Sequence, residues 1–212
     1  MQQTFNADNF YQICDTLYRK DKDLKKIVDE HGYPPIWMRP PSFQTLILTI
    51  LEQQVSLASA YAAFKKLRKK TGNITPAKIM DLTDDELRKC YFSRQKIVYA
   101  RELAKAILLK KLHLKKLESL DNDNVRTTLK KIKGIGDWTV DIYLIHALRR
   151  LDIFPIGDLA LVNSLKEIKN LSGYCTKEEM LAVSIPWRPF RTIASMILWH
   201  SYIQKRGIKL LS

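Results

Sequence analysis

The sequence predicts an all-α protein, and three observations carry that prediction. Apolar residues recur at helical spacing in one segment after another. The starts of those segments carry capping signals. No stretch shows the strict alternation of a half-buried strand, and no internal repeat is evident.

In chain order, residues up to about 31 read as two helices, the second over Asp23 to Glu30 and stopped by Gly32. The four prolines of YPPIWMRPP, residues 33 to 41, keep their predecessors out of helical backbone, so this is an extended connector in which Trp37 packs. Ser42 starts a helix with Phe43, Leu46, Ile47, Ile50 and Leu51 on its buried face. It ends in the polar run Glu52-Gln53-Gln54-Val55-Ser56, which surface polarity alone would explain. A further helix runs to about Lys70 and Gly72 closes it. Its Lys65 to Lys70 stretch reads as a solvated basic face. Thr75-Pro76 pairs a cap residue with proline at the first helical position, and Thr83-Asp84-Asp85-Glu86 is a capping box. Ser93 begins a helix with Ile97, Ala100, Leu103, Ala104 and Ile107 as its stripe. Arg94 and Lys96 in its first turn oppose the helix dipole, a conflict that a bound phosphate would relieve. A helix over about 124–132 leads into Gly134-Ile135-Gly136, and its successor, to about residue 150, presents Val140, Tyr143, Leu144, Ala147 and Leu148. Thr176 to Glu179 is a second capping box. Trp187-Arg188-Pro189 opens a terminal helix with Phe190, Ile193, Ala194, Ile197 and Leu198 inward, ending near Gly207.

Bulk properties narrow the partner. The 212 residues include 36 Lys and Arg against 22 Asp and Glu, for a net charge of +14. Residues 65 to 118 hold sixteen of the basic and six of the acidic residues, so most of the excess is concentrated there. Such an imbalance points to a polyanion, nucleic acid foremost, against the plainer alternative of a solvated basic surface. Cys14, Cys90 and Cys175 are too few and too scattered for a zinc or iron–sulfur cage, and an unclustered odd count suits a reducing interior. No basic-then-apolar leader opens the chain, and no apolar run approaches a membrane span. The expectation is a monomer that contacts no membrane, in the cytoplasm at the bacterial nucleoid or in a eukaryotic nucleus.

The chemistry concentrates between Ile132 and Val162. A Gly-hydrophobic-Gly turn between two helices permits positive φ and close approach, and the amides that open the next helix can face a phosphate oxygen, with Lys133 beside them as a cation. An ordinary αα-corner would account for the turn alone. Joined to the basic chain and to the carboxylate of Asp158, the DNA reading moves ahead. Asp158 itself can be a functional acid or only the N-cap of a helix over 159–168.

The run Leu129 to Thr139 (LKKIKGIGDWT), followed by Phe154-Pro155-Ile156-Gly157-Asp158, resembles the signature of the helix-hairpin-helix (Gly-Pro-Asp) DNA glycosylase superfamily. Within it, Gln53-Gln54-Val55-Ser56, the Gly-Ile-Gly-x-Trp-Thr hairpin and Trp187-x-Pro-x-Arg191 with Trp199 resemble the 3-methyladenine DNA glycosylase II family, over roughly residues 40 to 205. The resemblance implies a single two-lobed, endonuclease III-like helical domain. One lobe would hold the terminal helices, about 1–41 and 158–212. The central lobe, about 42–157, would contain the helix-hairpin-helix of 124–150. It implies that Asp158 is the catalytic carboxylate and that Trp138 and Trp199, with Tyr143, line the damaged-base pocket. It further implies that Lys133, Gly134, Ile135, Gly136 and Thr139 grip DNA. Gln53, Gln54 and Ser56 would enter the helix where the nucleotide flips out, with Gln54 at the tip, while Arg94 and Lys96 take backbone phosphates. The family's aromatic four residues after the hairpin tryptophan is here Ile142, with Tyr143 adjacent.

The lysine that backbone-cleaving relatives place two residues after the second hairpin glycine is here Trp138, and no cysteine quartet follows the last helix. Both absences imply a monofunctional enzyme without AP-lyase activity. Its substrate would be double-stranded DNA carrying alkylated purines, 3-methyladenine or 7-methylguanine. It would need no metal and no cofactor beyond an optional structural monovalent cation at the hairpin. The alternatives are a monofunctional glycosylase for uracil, hypoxanthine or a mismatch, and a non-catalytic helix-hairpin-helix module. His146 and His200 read as packed or solvated helix residues rather than as ligands.

Overall fold

Capping chemistry sets where most of the helices begin. The computed structural model describes residues 3–208, and among these every regular element is helical, as the sequence patterning requires. The first group is α1 (Phe10–Lys20), α2 (Lys22–His31), α3 (Phe43–Glu52), α4 (Leu57–Thr71), α5 (Pro76–Asp81), α6 (Asp84–Lys89) and α7 (Arg94–Leu108). There follow α8 (Leu114–Leu117), α9 (Asn122–Leu129), α10 (Asp137–His146), α11 (Leu159–Lys169), α12 (Lys177–Ser184) and α13 (Arg191–Lys205). Ser42, Ser56, Thr75, Ser93 and Asp121 each accept an amide from the first turn they cap, and the Thr83–Glu86 and Thr176–Glu179 boxes close reciprocally. The one bridge between extended residues joins Thr4 and Arg150, and no helix among the described residues is long and apolar enough to cross a membrane.

The described residues form two compact units, 3–38 with 144–208, and Arg39–Tyr143. The division falls inside α10, whereas the lobe boundary implied by the resemblance lay at 157–158. In the first unit α13 is the central element. Eleven of its fifteen residues are buried, the pattern of a helix covered on all sides. It packs on α1, α2 and α11, whose Phe10, Leu17, Leu24, Ile27, Leu161 and Leu165 complete the core. In the second unit α7 packs on α3, α5 and α6, and α3 on α4, around Leu46, Ile50, Leu67, Ile79, Leu87 and Leu103. At the buried end of α3, Arg39 grips the Glu52 carboxylate with both terminal guanidinium nitrogens, at 2.6 and 2.8 Å.

Three boundaries depart from the sequence pattern. The helix before the hairpin begins at Asn122, because Asp121 caps it, and stops at Leu129. The helix after it ends at His146: the Arg150 amide turns back to the Leu144 carbonyl at 2.9 Å and Arg149 takes φ +56°, so Ala147 and Leu148 lie beyond it. Trp187 belongs to a 3-10 turn, Ile185–Trp187, and α13 begins only at Arg191.

Candidate active site

Asp158 stands at the end of a segment fastened to the start of α13. The Thr192 amide donates to the Leu151 carbonyl at 2.9 Å, and the Ile153 amide donates to Thr192 Oγ1 at 3.0 Å. Arg191 clasps the Asp152 carboxylate through Nε at 2.6 Å and a terminal nitrogen at 2.9 Å. The Phe154 ring lies 6.0 Å from that of Trp187, which is fully buried and donates its indole N–H to Asp21 at 2.7 Å. The Trp187-x-Pro-x-Arg191 motif is therefore the fastening for residues 151 to 154. Pro155 then accepts the Asp158 amide at 2.8 Å and turns the chain into α11.

The Asp158 carboxylate does two jobs at once. Its Oδ1 accepts the Leu161 amide at 2.9 Å, which makes it the N-cap of α11, and also accepts the Trp199 indole N–H at 2.9 Å. The cap and the positioned acid, alternatives from sequence, coexist in one half-buried side chain. Trp199 is only 8 % exposed, and its ring stacks on the His146 imidazole at 5.7 Å and 22°. His146 in turn places Nδ1 2.7 Å from the Trp37 carbonyl oxygen, which fixes the proton on Nδ1.

The hairpin belongs to the other unit. Gly134 takes φ +92°, and a Cβ there would meet Cγ and both Cδ carbons of Tyr99 closer than 3.0 Å. Gly134 is thus required twice over, for its backbone and for the ring beneath it. Gly136 needs neither: its φ is ordinary and the space around a Cβ is open. The Ile135 amide closes the turn on the Ile132 carbonyl at 3.1 Å, and the Ile135 side chain is buried. The start of α10 carries the positive end of its helix dipole, with Lys133 exposed alongside. Asp137 in that turn is neutralised by Lys130 at 2.7 and 2.9 Å.

Behind the hairpin, Asp141 interrupts the apolar run of α10 and is paired with Arg126. Burial outweighs the ion pair and pushes its carboxyl up to about 6. An acid inside such a run demands a partner, a signal the sequence did carry.

The turn after α3 holds a surprise in Gln53. Its side-chain amide donates to the Gly134 carbonyl and to Thr139 Oγ1, both at 2.9 Å, so it clamps the hairpin. Gln54 is exposed, as are Val55 and Ser56, and takes φ +57°, while Ser56 caps α4 through the Ser59 amide at 3.2 Å.

Several expected contacts are therefore reassigned. Tyr143 is 0 % exposed and its hydroxyl has no hydrogen-bond partner, so it is a core residue and lines no open pocket. Thr139 is 1 % exposed with its hydroxyl taken by Gln53, which leaves only its backbone for a ligand. Ile135 likewise has neither side chain nor amide to spare. Lys96 spends its ammonium on the Leu51 carbonyl at 2.7 Å, capping the end of α3, and burial pushes its pKa down. The dipole conflict at the start of α7 is thus partly resolved inside the protein; Arg94 remains exposed. Trp199 offers its N–H to Asp158 and a face to His146 rather than an open surface. Trp138 is half-buried. No group of three or more His, Cys, Asp or Glu among the described residues could hold a metal.

The chain is 30 % identical over 209 residues to a putative DNA-3-methyladenine glycosylase of Bacillus subtilis, covering 95 % of this chain and 72 % of the relative. It is 32 % identical over 182 residues to DNA-3-methyladenine glycosylase 1 of Schizosaccharomyces pombe, covering 84 % and 80 %. The solved structure of the Schizosaccharomyces pombe 3-methyladenine DNA glycosylase in complex with abasic DNA superposes with a TM-score of 0.82 at 29 % identity, over 95 % of this chain and all of that one. Residues 47–189 match the family described as HhH-GPD superfamily base excision DNA repair protein, and the chain belongs to that superfamily.

Proposed function

We propose that the protein is a monofunctional DNA glycosylase that hydrolyses the N-glycosidic bond of alkylated purines, 3-methyladenine and 7-methylguanine, in double-stranded DNA. The observation that carries this reading is Asp158, a carboxylate fixed by an indole N–H and a helix amide at the end of a fastened segment.

A base inside a duplex is out of reach of any side chain, so the nucleotide must first be extruded, at a cost of about a few kcal/mol. The exposed Gln54 is the residue assigned to the gap left behind. Backbone amides at the start of α10, with Lys133 and Arg94, are assigned to phosphates. As the C1′–N bond breaks, its electron pair leaves with the base and positive charge grows on the deoxyribose. The Asp158 carboxylate stabilises that charge and orients a water, which adds to C1′ and gives up its proton. An alkylated purine is already cationic and becomes neutral on leaving, so little general-acid help is needed. The indole face of Trp138 is assigned to the cationic ring, an attraction of about 0.5–2 kcal/mol.

With Trp138 where a lyase keeps lysine, no imine with the sugar can form at that position. The scheme calls for no cofactor. A monovalent cation at the hairpin would have to share turn carbonyls, and those of Ile132 and Gly134 already accept bonds from Ile135 and Gln53. No step is assigned to it.

The test is release of free modified base from methylated duplex DNA. Asp158→Asn should abolish release, by about a hundredfold or more, while DNA binding persists. Asparagine caps a helix as well as aspartate does, so the fold is kept. Release of uracil or hypoxanthine instead of methylated purines would move the substrate class, and a borohydride-trapped DNA adduct would overturn the monofunctional assignment.

A further inference from the structure

The hydrogen bond from Trp199 to Asp158 is only as well directed as the indole that makes it, and that indole stacks on the His146 imidazole. We propose that His146 is a positioning residue for the reaction: anchored through Nδ1 to the Trp37 carbonyl, it holds the Trp199 ring in the plane from which its N–H meets Asp158 Oδ1. The assignment rests on the glycosylase reading of Asp158.

The four groups form a chain within one unit. The Trp37 carbonyl accepts from His146 at 2.7 Å, the imidazole stacks on Trp199 at 5.7 Å and 22°, and the indole donates to Asp158 at 2.9 Å. A tryptophan on a helix has freedom about two side-chain torsions, and a tilt of the ring swings its nitrogen away from the acceptor. The near-parallel imidazole restricts that tilt. It is in turn held by its own hydrogen bond to backbone, in the connector that four prolines stiffen. His146 is only 8 % exposed and lies at the last residue of α10, so its backbone position is fixed as well. Aliphatic packing would fill the same volume without the directional anchor. His146 is assigned to act through Trp199, as a positioning residue and not as a catalytic one.

The experiment is single-turnover base release from methylated duplex DNA, with DNA affinity measured in parallel. His146→Ala should slow release by about ten- to a hundredfold with affinity within about twofold of wild type, since misplacement of a reacting group lowers rate and leaves binding intact. His146→Asn keeps a donor near the Nδ1 position and loses the ring; His146→Phe keeps the ring and loses the donor. Each should fall between wild type and His146→Ala, and they carry the test should alanine prevent folding.

The decisive readout is a double-mutant cycle with Trp199→Phe, which removes the indole N–H but keeps a ring. If His146 acts through that N–H, its replacement should have little further effect in the phenylalanine background. Wild-type rates in the His146 variants, or a loss undiminished by Trp199→Phe, would overturn the assignment. Failure of the glycosylase reading itself shows differently: the wild-type protein then releases no base, and failure of the Asp158 role shows as an Asp158→Asn protein that releases base at the wild-type rate.

Discussion

Replacing Gly134 with alanine tests the construction of the hairpin. Two costs act together at this position. An L-residue at φ +92° loses roughly 1–2 kcal/mol from the clash of Cβ with its own backbone. The added methyl would also run into Cγ and both Cδ carbons of Tyr99, each closer than 3.0 Å. These atoms are the root of the ring, not its mobile hydroxyl end, so turning the ring about its own axis does not clear them. Either the ring or the hairpin must move, at a cost of roughly 1–3 kcal/mol for an overpacked contact. The expected loss is roughly 2–5 kcal/mol, a large share of the 5–15 kcal/mol by which ordinary domains are stable. Urea unfolding of the wild type, Gly134→Ala, Tyr99→Ala and the double variant measures it. With the ring removed, the alanine should keep its backbone cost and shed the steric one, giving a coupling of roughly 1–3 kcal/mol. A Gly134→Ala protein within about 0.5 kcal/mol of wild type, or a cycle with no coupling, would refute the two-cost account.

Gly136→Ala should behave oppositely: open space and an ordinary φ predict stability within about 0.5 kcal/mol of wild type. A tenfold or greater loss of DNA affinity, about 1.4 kcal/mol, is expected if the room at Gly136 serves a phosphate, and fluorescence-anisotropy titration would detect it. Asp141 gives a pH signature. Its folded pKa, about 6, lies above the ordinary carboxylate value, so the folded state holds this proton more tightly than the unfolded chain does. Its contribution is fully present below pH 4 and is lost as pH rises to 6, amounting to roughly 3 kcal/mol. Wild type should therefore lose that much stability relative to Asp141→Asn between pH 4 and pH 7 in parallel denaturant titrations. The reverse slope would mean that the Arg126 pair wins over burial.

The helix starts were legible because their signals are local: Thr83 with Glu86, Thr176 with Glu179, and Ser42 and Ser93 bond within three residues of themselves. The chemical stretch was legible for the same reason, since hairpin and acid are contiguous motifs. What escaped was every contact that depends on which helix lies against which. Lys96 looked frustrated because the sequence displays the N-terminus of its own helix but not the carbonyl end of α3 within reach. Gln53 looked like solvated polarity because its partners are 81 and 86 residues away. The resemblance places Tyr143 in a pocket because it adjoins the family's aromatic position, whereas the apolar helix face it shares with Val140 and Leu144 turns out to meet the core. His146 read as packed or solvated rather than as a ligand, and nothing local distinguishes such a histidine from one that aims a neighbour.

The Gln53 clamp also bears on whether the hairpin is a transferable part. A peptide spanning α9 and α10 would carry both helices and both glycines, yet it would lack the amide that binds the Gly134 carbonyl and Thr139, and the tyrosine ring on which Gly134 lies. Grafted onto another scaffold, such a segment would leave a polar carbonyl and a hydroxyl seeking partners and a bare patch under the turn. The unit of inheritance for this DNA-gripping element is the hairpin together with the end of α3 and the middle of α7. Duplications or fusions that move the hairpin alone should yield poorly ordered turns.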